Sequence, residues 1–187
     1  MDAEQRLLPK TKKRQILNMV LTKEELIASL QNEVRILVHL TTKIDRNQLD
    51  YRPTPKQRST IELLRYLTIM GPALIPAIKT GAFDGAAFGA AQAAANAMNF
   101  DQVVAAVEKL SSSYADQLGA FSDADFRSQL DMFGQKSSRG SHIVALVLSG
   151  HAAYRTQLFL YLKACGRDEL NTMNLWGGMD APMQAAN

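Results

Sequence analysis

The chain has 187 residues, 47% of them hydrophobic and 21% charged, with one cysteine and a formal net charge of +3, and its pI is near 9.0. That length and composition suit one sizeable core in a soluble domain, and a lone cysteine excludes an intramolecular disulfide framework or a cysteine-rich zinc site while fitting a reducing compartment. The amino terminus lacks the basic-then-apolar order of a secretion signal, and no apolar run reaches the roughly 18 residues of a membrane span, so a cytoplasmic protein without a membrane partner is expected.

Residues 1–21 read as a basic extension. Lys10-Thr11-Lys12-Lys13-Arg14 carries much of the positive charge ahead of Ile16, Leu17, Met19 and Val20, which fit a short helix packed on the main body. No aromatic residue interleaves the basic cluster, so a solvated arm is expected and nucleic-acid binding is not. The folded domain is expected over 22–187. Thr22 and Glu25 form a capping box, after which Leu26, Ile27, Leu30, Val34, Leu37, Val38 and Thr41 recur at helical spacing, with His39 on the opposite face. Between Lys43 and Arg58 the periodicity stops, and Arg52-Pro53-Thr54-Pro55 predicts an extended loop.

Ser59 and Glu62 open a second helix carrying Leu63, Leu64, Leu67, Met70, Leu74 and Ile78, with Gly71-Pro72 and Pro76 expected to bend or interrupt it. The Ala/Gly-rich stretch from Gly81 to Asn96 reads as a long crossover or flap rather than a helix. Asn99 and Gln102 cap a third long helix with Val103, Val107, Leu110, Tyr114 and Leu118. Phe121 to Arg139 reads as a polar connection tucked against the bundle. A fourth long helix is expected from Ser141 to Cys165, closed by Gly166. No segment shows sustained alternation, so the expected class is all-α, a four-helix bundle with long connections and a short N-terminal helical extension.

The fourth helix carries the one hint of chemistry. His151 lies inside its apolar stripe of Val144, Val147, Leu158, Tyr161, Leu162 and Cys165, and Arg155 follows one turn later on the flank. Polar groups on a core-facing stripe cost stability unless they are satisfied, so the pair is either a paired structural feature or the wall of a site. Cys165, on the same stripe, reads as an inert buried thiol.

Two stretches carry a family likeness. Leu49-Asp50-Tyr51-Arg52-Pro53-Thr54-Pro55 with Arg58-Ser59 and Glu62-Leu63-Leu64-Arg65-Tyr66-Leu67, and later His151-Ala-Ala-Tyr154-Arg155-Thr-Gln157-Leu158, resemble DinB-like four-helix-bundle proteins over roughly residues 22–176. The family commonly holds a divalent metal with three histidines, one on the second helix and two a turn apart on the fourth, and several members are transferases or isomerases that use a low-molecular-weight thiol. On this sequence those positions are Tyr66, His151 and Arg155, so the resemblance implies a degenerate metal site in which only His151 matches. Arginine stays protonated and offers no lone pair, and tyrosine would first have to ionise, so no metal and no other cofactor is expected. His39 and His142 lie on other faces and do not complete a triad.

Two readings of the altered site stay open. In one, Arg155 binds a small anionic ligand, a carboxylate or phosphate, with His151, Tyr66, Tyr154 and Glu62 around the pocket. In the other, the cluster satisfies itself, Glu62 pairing with Arg155 and His151 with the Tyr66 hydroxyl. Lys56 and Arg58, just ahead of the second helix, either hold an anion at its free amides or are surface charges. Tyr154, Phe159 and Tyr161 read as core or interface, and Phe159 and Leu160, off the main stripe, fit a neighbouring helix or a homodimer contact. The functional expectation is a non-catalytic or anion-binding DinB-like bundle, with a metal-dependent thiol transferase or isomerase as the alternative.

Overall fold

The computed structural model describes residues 21–181, so the expected basic extension lies, apart from Leu21, outside the described residues. In chain order the helices are α1 (Lys23–Thr41), α2 (Thr60–Thr80), α3 (Gly85–Asn96), α4 (Phe100–Gly119), α5 (Asp123–Arg127) and α6 (Arg139–Ala164), with strands β1 (Gln129–Met132) and β2 (Gln135–Ser138) before α6. The capping boxes at Thr22/Glu25, Ser59/Glu62 and Asn99/Gln102 all form, each satisfying otherwise free amides at a helix start.

α1 packs on α4 and α6, and α2 packs on the same two helices, so α1 stands diagonally opposite α2 and α4 opposite α6. A diagonal step needs a longer connection than an adjacent one, and both diagonal steps have one, the 42–59 loop and the 120–138 segment. The core follows the predicted stripes: Leu26, Leu30, Val34 and Leu37 from α1, Leu63, Leu64, Leu67 and Ile78 from α2, and Val103, Val107, Leu110, Tyr114 and Leu118 from α4 are all buried.

Three expectations are corrected. The Ala/Gly-rich stretch is helical over Gly85–Asn96, because alanine favours helix and Asp84 caps the start by accepting from the Ala87 amide. α2 runs uninterrupted through Pro72 and Pro76, where tertiary packing overrides the local cost. The 121–139 connection folds into α5 and a two-stranded antiparallel hairpin, turned by Phe133 (φ 54°) and Gly134 (φ 74°). Two positive φ values are the geometry of a tight two-residue hairpin turn, and the strands are only four residues long, too short to leave a visible alternation.

α2 and α6 are also long and apolar enough, by length and composition, to cross a membrane, contrary to the expectation from uninterrupted apolar runs. In the bundle both turn their apolar stripes inward.

α6 is not a uniform helix. Ile143–Leu148 forms a π-helical stretch, with Ser149 donating its hydroxyl to the Val144 carbonyl at 3.0 Å. The wider turn accommodates an extra residue and shifts the helix phase, which explains why Ile143 is buried while Val144, expected on the apolar stripe, is only half-buried.

At the centre of the bundle Gly71 of α2 lets the Tyr114 ring lie against the backbone: a Cβ there would meet the Tyr114 hydroxyl and stand 2.7 Å from Cε1 and Cζ. Gly71→Ala is therefore expected to destabilise the protein by roughly 1–3 kcal/mol through overpacking. Chemical denaturation should show a lower midpoint with the same slope; an unchanged midpoint would contradict the close approach.

Candidate functional site

His151 is 1% exposed and Tyr114 fully buried. The Tyr114 hydroxyl and His151 Nε2 share a hydrogen bond across the bundle diagonal, with ring centroids 5.5 Å apart and planes at 73°. Burial pushes the His151 imidazole down to about 4 and raises the Tyr114 hydroxyl above its ordinary value, so the pair is neutral over the physiological range. His151 Nδ1 is buried without a hydrogen-bond partner among the described residues, a standing cost in stability. The apolar wall beside it is close: a Cβ on Gly150 would stand 3.1 Å from the Met70 sulfur.

One turn further along α6, Arg155 is 3% exposed. Its Nε donates to Glu33 Oε2 at 2.7 Å and its Nη2 to Glu33 Oε1 at 3.3 Å, while Nη1 donates to the Leu175 carbonyl. The guanidinium carbon lies 5.3 Å from the centre of the Trp176 ring. A planar fork on both oxygens of one carboxylate is the strongest form of this contact. Leu175 and Trp176 belong to a π-helical turn over Met173–Gly177, and Gly178 after it (φ +57°) presses on α1: a Cβ there would stand 2.9 Å from Arg35 Nη1 and 3.0 Å from Ile36 Cα. Arg155 therefore ties together α6, α1 and the segment after α6.

The five residues expected around one pocket divide into two groups. His151 and Arg155 lie in the cluster just described. Glu62 does not reach Arg155, because its carboxylate accepts from the Ser59 amide at 2.8 Å and pairs with Arg52 at 3.2 Å; the capping amide, helped by Arg52, holds it below its usual pKa range. Tyr66 meets Tyr154 edge-to-face at 5.3 Å, and the Arg58 guanidinium lies 3.9 Å over the Tyr66 ring. Burial and Tyr154 raise the Tyr66 hydroxyl, and His151 bonds Tyr114 in place of Tyr66. The remaining histidines are engaged elsewhere: His142 Nε2 with the Leu130 carbonyl at 3.0 Å, His39 Nε2 with Asn174 at 3.1 Å. Cys165 is half-buried at the end of α6, its thiol raised by burial and by Asp45.

Glu33, Tyr114, Leu175 and Trp176 are the partners that sequence reading did not assign. Glu33 had a signal, since it stands seven residues after Leu26 and so nearly in line with the α1 stripe. Nothing local marked Leu175, whose carbonyl matters only because its chain segment returns to Arg155.

A metal does not fit these residues. Arg155 cannot ligate, His151 Nε2 is occupied by Tyr114, and among the described residues no group of three His, Cys, Asp or Glu side chains converges.

No protein-family model and no curated protein matches the sequence. Among solved structures, a DinB-like protein from Bacillus subtilis, YjoA, superposes with a TM-score of 0.59 over 78% of this chain and 94% of that one, at 16% identity. The fold is DinB-like. At that identity the likeness extends to the architecture alone, and at the two fourth-helix positions where the family resemblance implies ligands this chain has a histidine bonded to Tyr114 and an arginine paired with Glu33.

The depressed His151 pKa has a signed consequence. Above about pH 6.5 the imidazole is neutral in both folded and unfolded chains; between about 6.5 and 4 the unfolded chain binds the proton first, so stability falls with pH and levels off below about 4. The loss from this residue should approach about 3 kcal/mol. Unfolding free energies from pH 7.5 to 3.5 in wild type and His151→Leu should diverge in slope across that window; parallel curves would show that His151 is not buried neutral.

Proposed function

We propose that this chain is a non-catalytic DinB-like bundle in which His151 and Arg155 brace the fold instead of holding a metal or an anion. The observation that carries this reading is the two-point contact between Arg155 and Glu33. An anion at Arg155 would have to displace a carboxylate that is already aligned, close and, at 13% side-chain exposure, largely out of water. A metal would meet a fixed positive charge in place of a ligand. The anion reading of this position loses the residue it depends on, and the thiol-transferase reading gains no metal ligand from Arg155.

Removing one partner of a buried ion pair strands the other in a low-dielectric interior, which costs far more than the pair contributes. Arg155→Met is expected to destabilise the protein by about 3 kcal/mol or more, with part of the loss recovered in the Arg155→Met/Glu33→Gln double variant. Recovery stays partial because the Leu175 contact and the Trp176 stacking are lost in both. Denaturation of the four members of the cycle measures the coupling. A stable Arg155→Met variant, or about one zinc or nickel per wild-type chain that disappears in His151→Leu, would reject the bracing role and restore the metal-dependent alternative.

A further inference from the structure

α2 and α3 face each other across a groove whose character changes along its length. Toward the carboxyl end of α2, Ile69, Pro72, Ala73 and Pro76 oppose Phe83 and Phe88 around a cavity of about 720 Å³, most of its wall apolar. Toward the amino end, Arg58, Arg65 and Tyr66 oppose Gln92 and Asn96 around a polar cleft of about 210 Å³. Ile69 lines both, so they adjoin along the same helix pair. The space has a plain cause. α3 is Gly85-Ala-Ala-Phe88-Gly-Ala-Ala-Gln92-Ala-Ala-Ala-Asn96, its one fully buried residue is Ala95, and the tilted Phe83–Phe88 pair, 5.5 Å between centroids, walls one end.

The two ends ask for different chemistry. The apolar half runs from Thr68 to Thr80 on α2, about 18 Å of helix, and leaves Phe83 43% exposed. In the polar half the one carboxylate, Glu62, is already held by Arg52 and the Ser59 amide. Arg65 gives Nε and Nη2 to the Met98 carbonyl. Arg58, oriented by its stacking on Tyr66, has no carboxylate within ion-pair distance among the described residues. The cleft is therefore cationic, with side-chain amides of Gln92 and Asn96 opposite the arginines. Ligand sites combine an apolar wall with a few placed polar groups, and a guanidinium over an aromatic ring is suited to a carboxylate.

We propose that the α2–α3 groove binds a single-chain amphiphilic carboxylate of the fatty-acid type, its alkyl chain between Ala73, Phe83 and Phe88 and its carboxylate at Arg58 with Gln92 and Asn96 donating. A short anion leaves the larger apolar half empty, and a neutral lipid leaves the cationic end without a partner. The proposal uses no residue of the Tyr114–His151 and Glu33–Arg155 cluster. It goes beyond the bracing role of that cluster and stands or falls separately from it.

Calorimetric titration of the full chain with dodecanoate, below its micelle-forming concentration, tests it. Saturable binding of one molecule per chain is expected, weakened about tenfold in Arg58→Gln and at least as much in Ala87→Trp, which fills the tail cavity from an exposed position of α3. Dodecanol should bind about tenfold more weakly than dodecanoate, and acetate should give no heat. Circular dichroism confirms that each variant is folded. The proposal is overturned by absence of saturable dodecanoate binding, by equal affinity for dodecanol, by affinity unchanged in both variants, or by tighter binding of dodecyl phosphate, which would assign the head site to phosphate.

Discussion

A guanidinium with 3% exposure must have its charge answered inside the protein, and the rest of this structure is arranged around that requirement. Glu33 answers it from α1, on the neighbouring helix, and the Leu175 carbonyl answers the remaining nitrogen from the segment after α6. Three parts of the chain, the first more than a hundred residues before the other two, are thereby held to one geometry. The Trp176 ring lies 5.3 Å from the guanidinium carbon while leaving most of its own surface exposed, at 67%.

The second polar contact is set beside this one by helix geometry alone. His151 and Arg155 are four residues apart, so a helix that directs Arg155 toward α1 brings His151 onto nearly the same face, and Tyr114 reaches it from the diagonally opposite helix. Gly71 makes room for the tyrosine ring, and the π-helical stretch before Ser149 sets the rotation of α6. A conventional α-helical turn there would change the phase between Ile143 and His151 by about one residue. The resulting interior is crowded and mostly apolar, which is why the imidazole stays neutral.

Sequence periodicity placed the helices well because each long helix buries one face, and burial selects apolar residues at the helical repeat. It placed the site less well. Tyr66, Glu62 and Tyr154 fall on helix faces compatible with a pocket shared with Arg155, yet Glu62 is committed to its own helix's capping box and Tyr66 is held between Arg58 over its ring and Tyr154 at an edge-to-face contact. Choosing among carboxylates requires the relative rotation and rise of separate helices, and those are settled by packing. Glu33, nearly in line with the α1 stripe, was as legible as Glu62; what made it the partner was the adjacency of α1 to α6.

The sequence by itself determined the four long helices, the capped beginnings of the first three, the loop over 43–58 and the presence of a histidine and an arginine on a core-facing helix, because capping, proline restriction and helical periodicity act within a few residues. Only the tertiary structure decided that the Ala/Gly-rich stretch is a helix set apart from α2 by a groove, that a hairpin forms between α5 and α6, and that Arg155 meets Glu33 instead of a ligand. Those outcomes depend on free-energy differences between packed arrangements, which sum contacts over residues far apart in the chain and leave no local signature.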